Sequence, residues 1–360
     1  MSSSNIHSLT RDCSSPKDEQ DSKITIRPVP TTQFSSDWQL EYKTSITNIE
    51  QLCRTLGLKV EQLPISCQAN QQFQLRVPQN YVERMQHANP SDPLLLQVLP
   101  TNSEDIHIEG YSKDPVADLQ SIKTPGLLQK YNGRALLLVT SRCAIHCRYC
   151  FRRHFPYSAQ NPRHDSWTQA VQELQRDRSI TEIILCGGDP LVLNDTELLK
   201  LISKLESIEH IQRLRIHTRL PVVIPNRIND ELLNWIENTR LKVVMVLHIN
   251  HAQEINHHLH DNLQRLKNLN CILLNQSVLL RNVNNNASSL INLSETLFNA
   301  GVLPYYLHLL DKVEGAKHFD VSEENARKLM QEITMHLPGY LVPKLVKEIP
   351  GEHSKSLISY

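Results

Sequence analysis

Short apolar runs alternate with longer amphipathic segments along the chain after Pro125. Most runs are apolar on both alternating faces, which is typical of parallel strands covered by helices rather than of one-sided antiparallel strands. The six predicted strands are residues 135–140, 182–186, 214–218, 242–247, 271–279 and 303–310. The predicted helices that follow them are residues 166–176, 195–206, 229–239, 259–269, 286–299 and 321–335. The pattern therefore predicts six β/α units.

Reactive or polar residues lie at or just after the C-terminal end of every predicted strand. The C-terminal ends of the strands carry the active site in a β/α barrel, so these residues are candidates for one shared site. In chain order they are Cys143–Cys150, Gly187-Gly188-Asp189, Thr218-Arg219, His248 with Asn250, Gln276-Ser277, and His308 with Asp311. Six units are fewer than the eight of a closed barrel, so we predict an α/β fold with a partial, open (βα)6 barrel. A doubly wound sheet is the structural alternative.

Three further regions flank the predicted barrel, which we expect over residues 106–340. Residues 1–36 are polar and Ser-rich, and they cannot bury enough apolar surface to offset the entropy of ordering. We predict a disordered arm there. Helical periodicity over residues 37–105 predicts a small N-terminal helical cap. Residues 341–360 form a short C-terminal segment.

The composition is that of an ordinary soluble globular protein, with 40% hydrophobic and 21% charged residues in a chain of 360. Lys plus Arg and Asp plus Glu number 38 each, so no net field attracts nucleic acid or an anionic membrane. The chain lacks the ~18 consecutive apolar residues of a membrane span and the apolar core of a signal peptide. We expect a cytoplasmic protein without nucleic-acid or membrane partners.

Three of the eight cysteines, Cys143, Cys147 and Cys150, form a C-x3-C-x2-C array after the first predicted strand. In a reducing compartment such an array indicates metal ligation rather than disulfides. Three thiolates suit a [4Fe–4S] cluster with one iron left without a protein ligand. A zinc site is the alternative, because His146 or His154 can supply a fourth ligand. His251, His257, His258 and His260 lack a fixed ligand geometry and are expected to be solvated.

The cysteine spacing, followed by an aromatic residue, resembles that of the radical S-adenosylmethionine (SAM) enzymes. Further segments narrow the resemblance, and they are CAIHCRYCFRRHFP (143–156), CGGDPL (186–191), HTRLPV (217–222), NQSVLLR (275–281) and PYYLHLLD (304–311). Together they resemble the lysine 2,3-aminomutase family. The likeness is greatest to its short bacterial branch, which makes (R)-β-lysine for elongation factor P, and it runs from about residue 37 to residue 355.

The resemblance implies that the three cysteines hold the cluster and that its open iron binds SAM. The SAM contacts would be Gly187, Gly188, Asp189, His248 and Gln276. A structural alternative exists for several of them, because a glycine pair after a strand also suits a tight turn and an aspartate there can be a helix N-cap.

The resemblance also implies pyridoxal phosphate (PLP), bound through Lys355 in the segment EIPGEHSK (348–355) and contacted by Lys130, Tyr131, Arg134 and Arg219. The longer family members have a glycine-rich turn before this lysine, whereas this chain has Gly351-Glu-His-Ser354. The longer members also carry a C-terminal zinc-binding extension, whose cysteines do not occur here, so no zinc is expected.

The substrate positions that the resemblance implies are Arg152 for a carboxylate and Asp311 with Glu348 for a distal ammonium. Two buried carboxylates repel each other unless a cation lies between them, which favours lysine over glutamate. The expected enzyme is an isomerase that moves the α-amino group of L-lysine to C3 by a 5′-deoxyadenosyl-radical, PLP-assisted shift.

The partners implied are free L-lysine, a flavodoxin- or ferredoxin-type electron donor, and a functional link to elongation factor P and its ligase. A homo-oligomer is compatible with the sequence. Two other functions stay open: an aminomutase for arginine or glutamate, and a non-catalytic protein that binds an iron–sulfur cluster or zinc.

Overall fold

The computed structural model describes residues 38–160, 167–269 and 271–360. The predicted disordered arm, residues 1–36, lies outside the described residues. The α-helices of the described residues are α1 (Trp38–Lys43), α2 (Ile49–Thr55), α3 (Cys67–Gln72), α4 (Gln79–Val82), α5 (Thr168–Arg176), α6 (Asp195–Glu206), α7 (Leu220–Val223), α8 (Asp230–Asn238), α9 (His257–Asn268), α10 (Ala287–Asn299) and α11 (Glu323–His336). Within these ranges, no helix is long and apolar enough to cross a membrane.

The described strands form a single sheet in which spatial order follows chain order. They are β1 (Ile122–Thr124), β2 (Leu127–Tyr131), β3 (Arg134–Thr140), β4 (Glu182–Gly187), β5 (Arg213–Thr218), β6 (Lys242–Leu247), β7 (Ile272–Val278), β8 (Leu303–His308), β9 (Lys344–Lys347) and β10 (Ser356–Leu357). Strands β3 to β9 are parallel, while β1, β2 and β10 pair antiparallel at the two edges. In the described chain β10 ends the order opposite β1, so the sheet is an open, partial barrel.

The predicted α/β architecture is confirmed. The six predicted strands correspond to β3 to β8, and the six predicted helices correspond to α5, α6 and α8 to α11. Strand β9 is a seventh parallel strand that the hydrophobic pattern did not reveal. Only Leu345 and Val346 are apolar in this strand, and a lysine stands at each end, so the run is too short to be told from a loop.

Polar residues at helix starts explain why the covering helices begin where they do. Asn194, Asn229, Asn256, Asn286 and Ser322 each accept a hydrogen bond from the backbone N–H three residues later. Such caps satisfy a donor that the helix itself leaves unpaired. Each cap is followed by leucines or other apolar residues at helical spacing, which pack on the sheet.

The N-terminal helices share their apolar interior with the barrel. Leu52, Tyr81 and Leu94 are fully buried and belong to the same hydrophobic core as Leu137 of β3 and Ile183 of β4. The division into a cap (37–105), a barrel (106–340) and a C-terminal segment (341–360) stays a prediction. The packing fixes residues 38–105 against the barrel, close to the loop that follows β3.

Candidate active site

A cavity of about 730 Å³ opens beside the C-terminal ends of the parallel strands. All sixteen residues that the family resemblance assigns to the cluster, SAM, PLP or lysine line it. They are Lys130, Tyr131, Arg134, Cys143, Cys147, Cys150, Arg152, Gly187, Gly188, Asp189, Arg219, His248, Gln276, Asp311, Glu348 and Lys355. The structure therefore brings the candidates together, although their individual roles stay predictions.

We call the side with the three cysteines the cysteine end, and the side with Lys130, Asp311, Glu348 and Lys355 the charged end.

The three cysteines lie on the loop after β3, where the negative charge of one thiolate raises the pKa of a neighbouring thiol. Burial raises the pKa of Cys143 well above its usual value, and the neighbouring Cys150 and Cys147 raise it further. Burial, followed by the charge of Cys147, raises the pKa of Cys150 to about 11. Thiolates so placed repel one another unless a cation compensates them, and metal binding supplies that cation. This donor set therefore fits an iron–sulfur cluster.

The two histidines considered as a fourth zinc ligand make other contacts. His146 Nδ1 lies 2.6 Å from the carbonyl oxygen of Gln74, and its ring stacks on Phe73. His154 Nε2 lies 3.3 Å from the carbonyl oxygen of Glu314. In the described part of the chain, no three His, Cys, Asp or Glu side chains converge to hold a single ion. A [4Fe–4S] cluster does not require its cysteines to converge on one ion, because each cysteine binds a different iron.

Buried ion pairs anchor the cysteine loop to the N-terminal helices. Arg148, which is fully buried, donates to both oxygens of Glu104 from Nε (2.9 and 3.1 Å) and to Oε2 from a terminal nitrogen (2.6 Å). Arg153 also pairs with Glu104, at 2.8 Å. Breaking such a pair would leave an uncompensated charge in the interior, which costs about 3–5 kcal/mol. Glu104 escaped the sequence reasoning because it lies far from the cysteines in the chain.

The glycine pair after β4 packs directly on the backbone of the cysteine loop. Gly188 N–H donates to the carbonyl oxygen of Thr140 at 2.7 Å. A Cβ at Gly187 would lie 2.5 Å from that oxygen, and one at Gly188 would lie 2.3 Å from the carbonyl oxygen of Arg142. Gly187 also has φ +122°, which side-chain-bearing residues rarely adopt. The tight-turn role is thus present in the structure, whatever ligand these glycines contact.

Asp189 fills the N-cap role that was its structural alternative. Its carboxylate accepts from the backbone N–H groups of Leu191, Arg219 and Leu220 at 3.1, 2.7 and 2.8 Å. Thr218 Oγ1 donates to it at 2.7 Å. Asp189 therefore joins the turn after β4 to the end of β5, and its assignment as a SAM contact stays a prediction.

His248 and Gln276 stand at the ends of β6 and β7, as predicted. His248 Nε2 lies 2.8 Å from the hydroxyl of Tyr149, and the two rings stack. Burial lowers the pKa of His248 to about 3, and the Arg219 charge contributes, so the imidazole is neutral at pH 7. A neutral imidazole can accept a hydrogen bond, here from the Tyr149 hydroxyl, which a protonated one cannot.

Arg219 lies at the cysteine end and not with the other residues proposed to contact PLP. One terminal nitrogen donates to Cys147 Sγ at 2.8 Å and to the Tyr149 hydroxyl at 2.7 Å. The other donates to Glu254 Oε2 at 2.8 Å. Glu254 is another residue that sequence reasoning missed, since it sits in the histidine-rich stretch that suggested only solvated groups.

The charged end gathers groups from both edges of the sheet. Lys355 Nζ donates to Glu348 Oε2 at 2.8 Å, and the Tyr131 hydroxyl donates to Glu348 Oε1 at 2.5 Å. Burial works to raise the pKa of Glu348, but the Lys355 ammonium and the hydrogen bonds from Lys355 and Tyr131 hold it below its usual value. Burial raises the pKa of Asp311 to about 7, with Lys355 opposing that rise.

Asp118, which the sequence did not reveal, connects two of the predicted cations. Arg152 Nε donates to Asp118 Oδ2 at 2.7 Å, and Lys130 Nζ lies 2.8 Å from Oδ1. A terminal nitrogen of Arg152 also donates to Cys186 Sγ at 2.8 Å. Arg134 lies over the ring of Tyr131, with its guanidinium carbon 4.6 Å from the ring centre. Asp118 comes before β1, in a segment without a recognisable motif.

Two histidines between the ends have a buried nitrogen to which no described residue offers a hydrogen bond. These atoms are Nε2 of His217 on β5 and Nε2 of His308 on β8, and both residues line the cavity. A buried polar atom without a partner is costly, and a bound ligand can satisfy it. With the Lys355 amine and the nearby cations, these groups fit an anionic, carbonyl-bearing cofactor such as PLP.

Comparison with known proteins identifies the family of the chain. Residues 137–275, from β3 into β7, match the family described as the Radical SAM superfamily. The fold, the cysteine loop and this match define a radical SAM enzyme. An L-lysine 2,3-aminomutase from Buchnera aphidicola is 48% identical over 324 residues, which cover 90% of this chain and 95% of the relative. That of Escherichia coli is 47% identical over 90% of this chain and 95% of its own length.

The chain therefore belongs to the lysine 2,3-aminomutase family, whose members are radical SAM isomerases. Membership implies a [4Fe–4S] cluster, SAM and PLP as cofactors. A Clostridium subterminale relative with the same name is 30% identical over 89% of this chain and 77% of its own. Among solved structures, a radical SAM methyltransferase from Sphaerobacter thermophilus has 14% identity and a TM-score of 0.45, and covers 61% of this chain and 68% of that chain.

Proposed function

We propose that this enzyme converts L-lysine to (R)-β-lysine by moving the α-amino group to C3. The observation that carries the proposal is that Arg152, Asp311 and Glu348 line one cavity with the three cysteines. Free lysine has a carboxylate at one end and an ammonium at the other. A guanidinium and a pair of acids in the same cavity complement both charges.

Arg152 suits the carboxylate of lysine. Its side chain is buried, and Asp118 holds Nε so that the planar fork keeps one orientation in the cavity. Arginine can bind a carboxylate with two parallel hydrogen bonds, which fixes the direction of the bound amino acid as well as its position. The reacting carbons C2 and C3 would then be held at a defined place relative to the cysteine end.

Asp311 and Glu348 suit the distal ammonium. Two acids close together in a buried site favour a cation between them. The ammonium of Lys355 already pairs with one of them, Glu348. Glutamate would bring a third negative charge to this end, so the site selects against it. Arginine is the closer competitor, because its guanidinium also pairs with acids.

The cofactors supply the chemistry that amino-acid side chains lack. When bound, the reduced cluster with SAM provides radical abstraction from an unactivated C–H bond, and PLP provides the conjugated carbonyl group through which nitrogen moves between adjacent carbons. Lys355 would hold PLP covalently, and Lys130, Tyr131 and Arg134 would hold its phosphate. The buried walls of the cavity would keep water away from the reacting carbons.

We further propose that the product serves the modification of elongation factor P, that the reducing electron comes from a flavodoxin- or ferredoxin-type donor, and that the reaction takes place in the cytoplasm. The support for the first of these is the similarity to the short family members along nearly their whole length. Co-expression with elongation factor P and its ligase, followed by mass measurement of elongation factor P, tests it. No β-lysyl adduct above the level without this enzyme would refute the link.

The central experiment is anaerobic reconstitution with iron, sulfide, SAM and PLP, followed by chiral chromatography of the lysine products. We expect (R)-β-lysine to accumulate only with all four additions and a reductant. Arginine and glutamate are run as alternative substrates. If arginine or glutamate is rearranged faster than lysine, that amino acid is the substrate and the proposal for lysine is wrong. Zinc without acid-labile sulfide would instead support the non-catalytic metal-binding alternative.

A further inference from the structure

A buried cation touches one of the three cysteines. Arg219 is 6% exposed, and its terminal nitrogen lies 2.8 Å from Cys147 Sγ, within hydrogen-bond distance for a donor to sulfur. The residue lies between the end of β5 and the start of α7, and its backbone N–H donates to Asp189. The position of the cation is therefore set by the sheet and not by a mobile surface side chain.

The guanidinium has a fixed orientation. The two N–H groups of its second terminal nitrogen are shared among Glu254 Oε2, Gln97 Oε1 and the Tyr81 hydroxyl, which lie 2.8, 2.8 and 3.0 Å from that nitrogen. The rings of Tyr81 and Tyr149 flank it, with centres 5.4 and 5.9 Å from the guanidinium carbon. One edge thus faces the sulfur, and the opposite edge faces the carboxylate.

Glu254 balances the charge of Arg219, so the ion pair is neutral as a whole but has an oriented dipole. Its carboxylate is fully buried and accepts from the backbone N–H groups of Asn250 and His251 at 2.9 and 3.2 Å. The positive member lies next to Cys147, and the negative member lies behind it. In an interior of low dielectric constant, such an oriented pair creates a strong local field at the sulfur.

We propose that Arg219 raises the reduction potential of the cluster, with Glu254 limiting the rise. Reduction adds one electron from an external low-potential donor to the cluster, and Arg219 keeps its protons throughout. An N–H···S hydrogen bond and a nearby positive charge stabilise the more negative reduced form, and both are known determinants of iron–sulfur potentials. Nε of the same guanidinium is buried without an acceptor among the described residues.

The proposal rests on the cluster assignment and not on lysine as substrate. Its test is a mediated redox titration, monitored by electron paramagnetic resonance, of protein reconstituted with iron and sulfide alone. Arg219→Met combined with Glu254→Gln removes the donor without leaving a buried charge, and we expect a more negative potential. Glu254→Gln alone leaves Arg219 without its counter-charge, and we expect a shift to a more positive potential. Arg219→Lys keeps the charge and should lie between wild type and the double variant.

A buried pair elsewhere gives a matched control. Arg227 is fully buried and pairs with Asp195 at 2.8 Å, and neither residue lines the cavity. Arg227→Met combined with Asp195→Asn should leave the potential unchanged, apart from any loss of stability.

Three results would overturn the proposal. One is an unchanged potential in the double variant at equal iron and sulfide content. Another is a reduction potential in Glu254→Gln that is unchanged or more negative than in the wild type. This result decides the question if the double variant fails to bind a cluster. The third is loss of PLP from Arg219→Lys with an unchanged potential, which would return Arg219 to the role of a phosphate ligand. A wild-type protein that takes up no cluster would reject the metal assignment itself.

Discussion

At the cysteine end of the cavity the chemistry comes from one loop of eight residues, whereas at the charged end it comes from side chains spread from Asp118 to Lys355. The loop is held by buried ion pairs to Glu104 and by a glycine turn that leaves no room for a Cβ. The charged end is held by interactions among the functional groups themselves, as in the pair of Lys355 and Glu348. The cysteine end is thus a local sequence motif with rigid support, whereas the charged end depends on the tertiary fold.

This difference implies that the two ends can be disabled separately. The largest expected effect is at the cysteine end. Cys147→Ser should abolish the brown chromophore, SAM cleavage and lysine rearrangement, because a cubane with an open iron requires all three thiolates. PLP binding should persist, since Lys355 and its neighbours do not contact the cysteines. Iron and sulfide analysis with absorbance spectra checks both statements.

The exposed Cys67 in α3 provides the control for that variant. Cys67→Ser should keep the cluster and full activity. Activity in Cys147→Ser equal to wild type would reject the assignment of the cluster ligands.

The charged end offers the converse variant. Lys355→Ala should stop covalent capture of PLP, as borohydride reduction and peptide mapping would measure, while the iron–sulfur spectrum stays unchanged. The reason is that Lys355 is the amine proposed to hold PLP, and it pairs with Glu348 rather than with a cysteine. A borohydride-fixed label on another lysine of the wild-type chain would show that the position is misassigned.

A smaller effect is expected for the acids. Asp311→Asn or Glu348→Gln should weaken lysine binding by roughly 2–5 kcal/mol, because a desolvated ammonium loses a charged partner that water cannot replace. That corresponds to a loss of affinity of about 30-fold to a few thousand-fold. Steady-state kinetics under anaerobic conditions, with cofactor content measured first, gives the value. Unchanged affinity in both variants would mean that the distal ammonium binds elsewhere.

The smallest effect is a pH dependence of lysine binding. Burial raises the pKa of Asp311 to about 7. Below that pH the carboxyl carries a proton, which it must lose to pair with an ammonium, so lysine affinity should fall as the pH decreases from 7 to 6. The fall is limited to about tenfold per pH unit for one group. Asp311→Asn should flatten this part of the profile, and a profile equally steep in that variant would assign the titration to another group.

The same contrast explains which parts of the structure were predictable. Strands β3 to β8 and their helices follow from hydrophobic periodicity, because buried parallel strands and amphipathic helices leave strong patterns. The cysteine loop was visible as a spacing. Glu348 and Lys355 were found through a family resemblance alone, since an isolated acid or lysine has no local signature. Asp311 was visible only as a polar residue after a predicted strand, and its role came from the resemblance.

What was missed has a common physical reason. Glu104, Asp118 and Glu254 are buried acids whose partners are cations distant in the chain, namely Arg148, Arg152 and Arg219. Sequence reasoning treats a lone acid as a solvated group, because burial and pairing depend on the completed fold. Strand β9 was missed because two apolar residues are too few for a periodicity.

The hairpin of β9 and β10 has a consequence for how this region can change over evolutionary time. Lys347 pairs with Ser356, so the next residues inward, Glu348 and Lys355, face each other wherever the intervening turn runs. The distance between acid and amine is therefore independent of the length and composition of residues 349–354. Loop closure entropy changes slowly with loop length, so insertions and deletions in this turn cost little. Sequence changes within residues 349–354 can thus accumulate without moving either functional group.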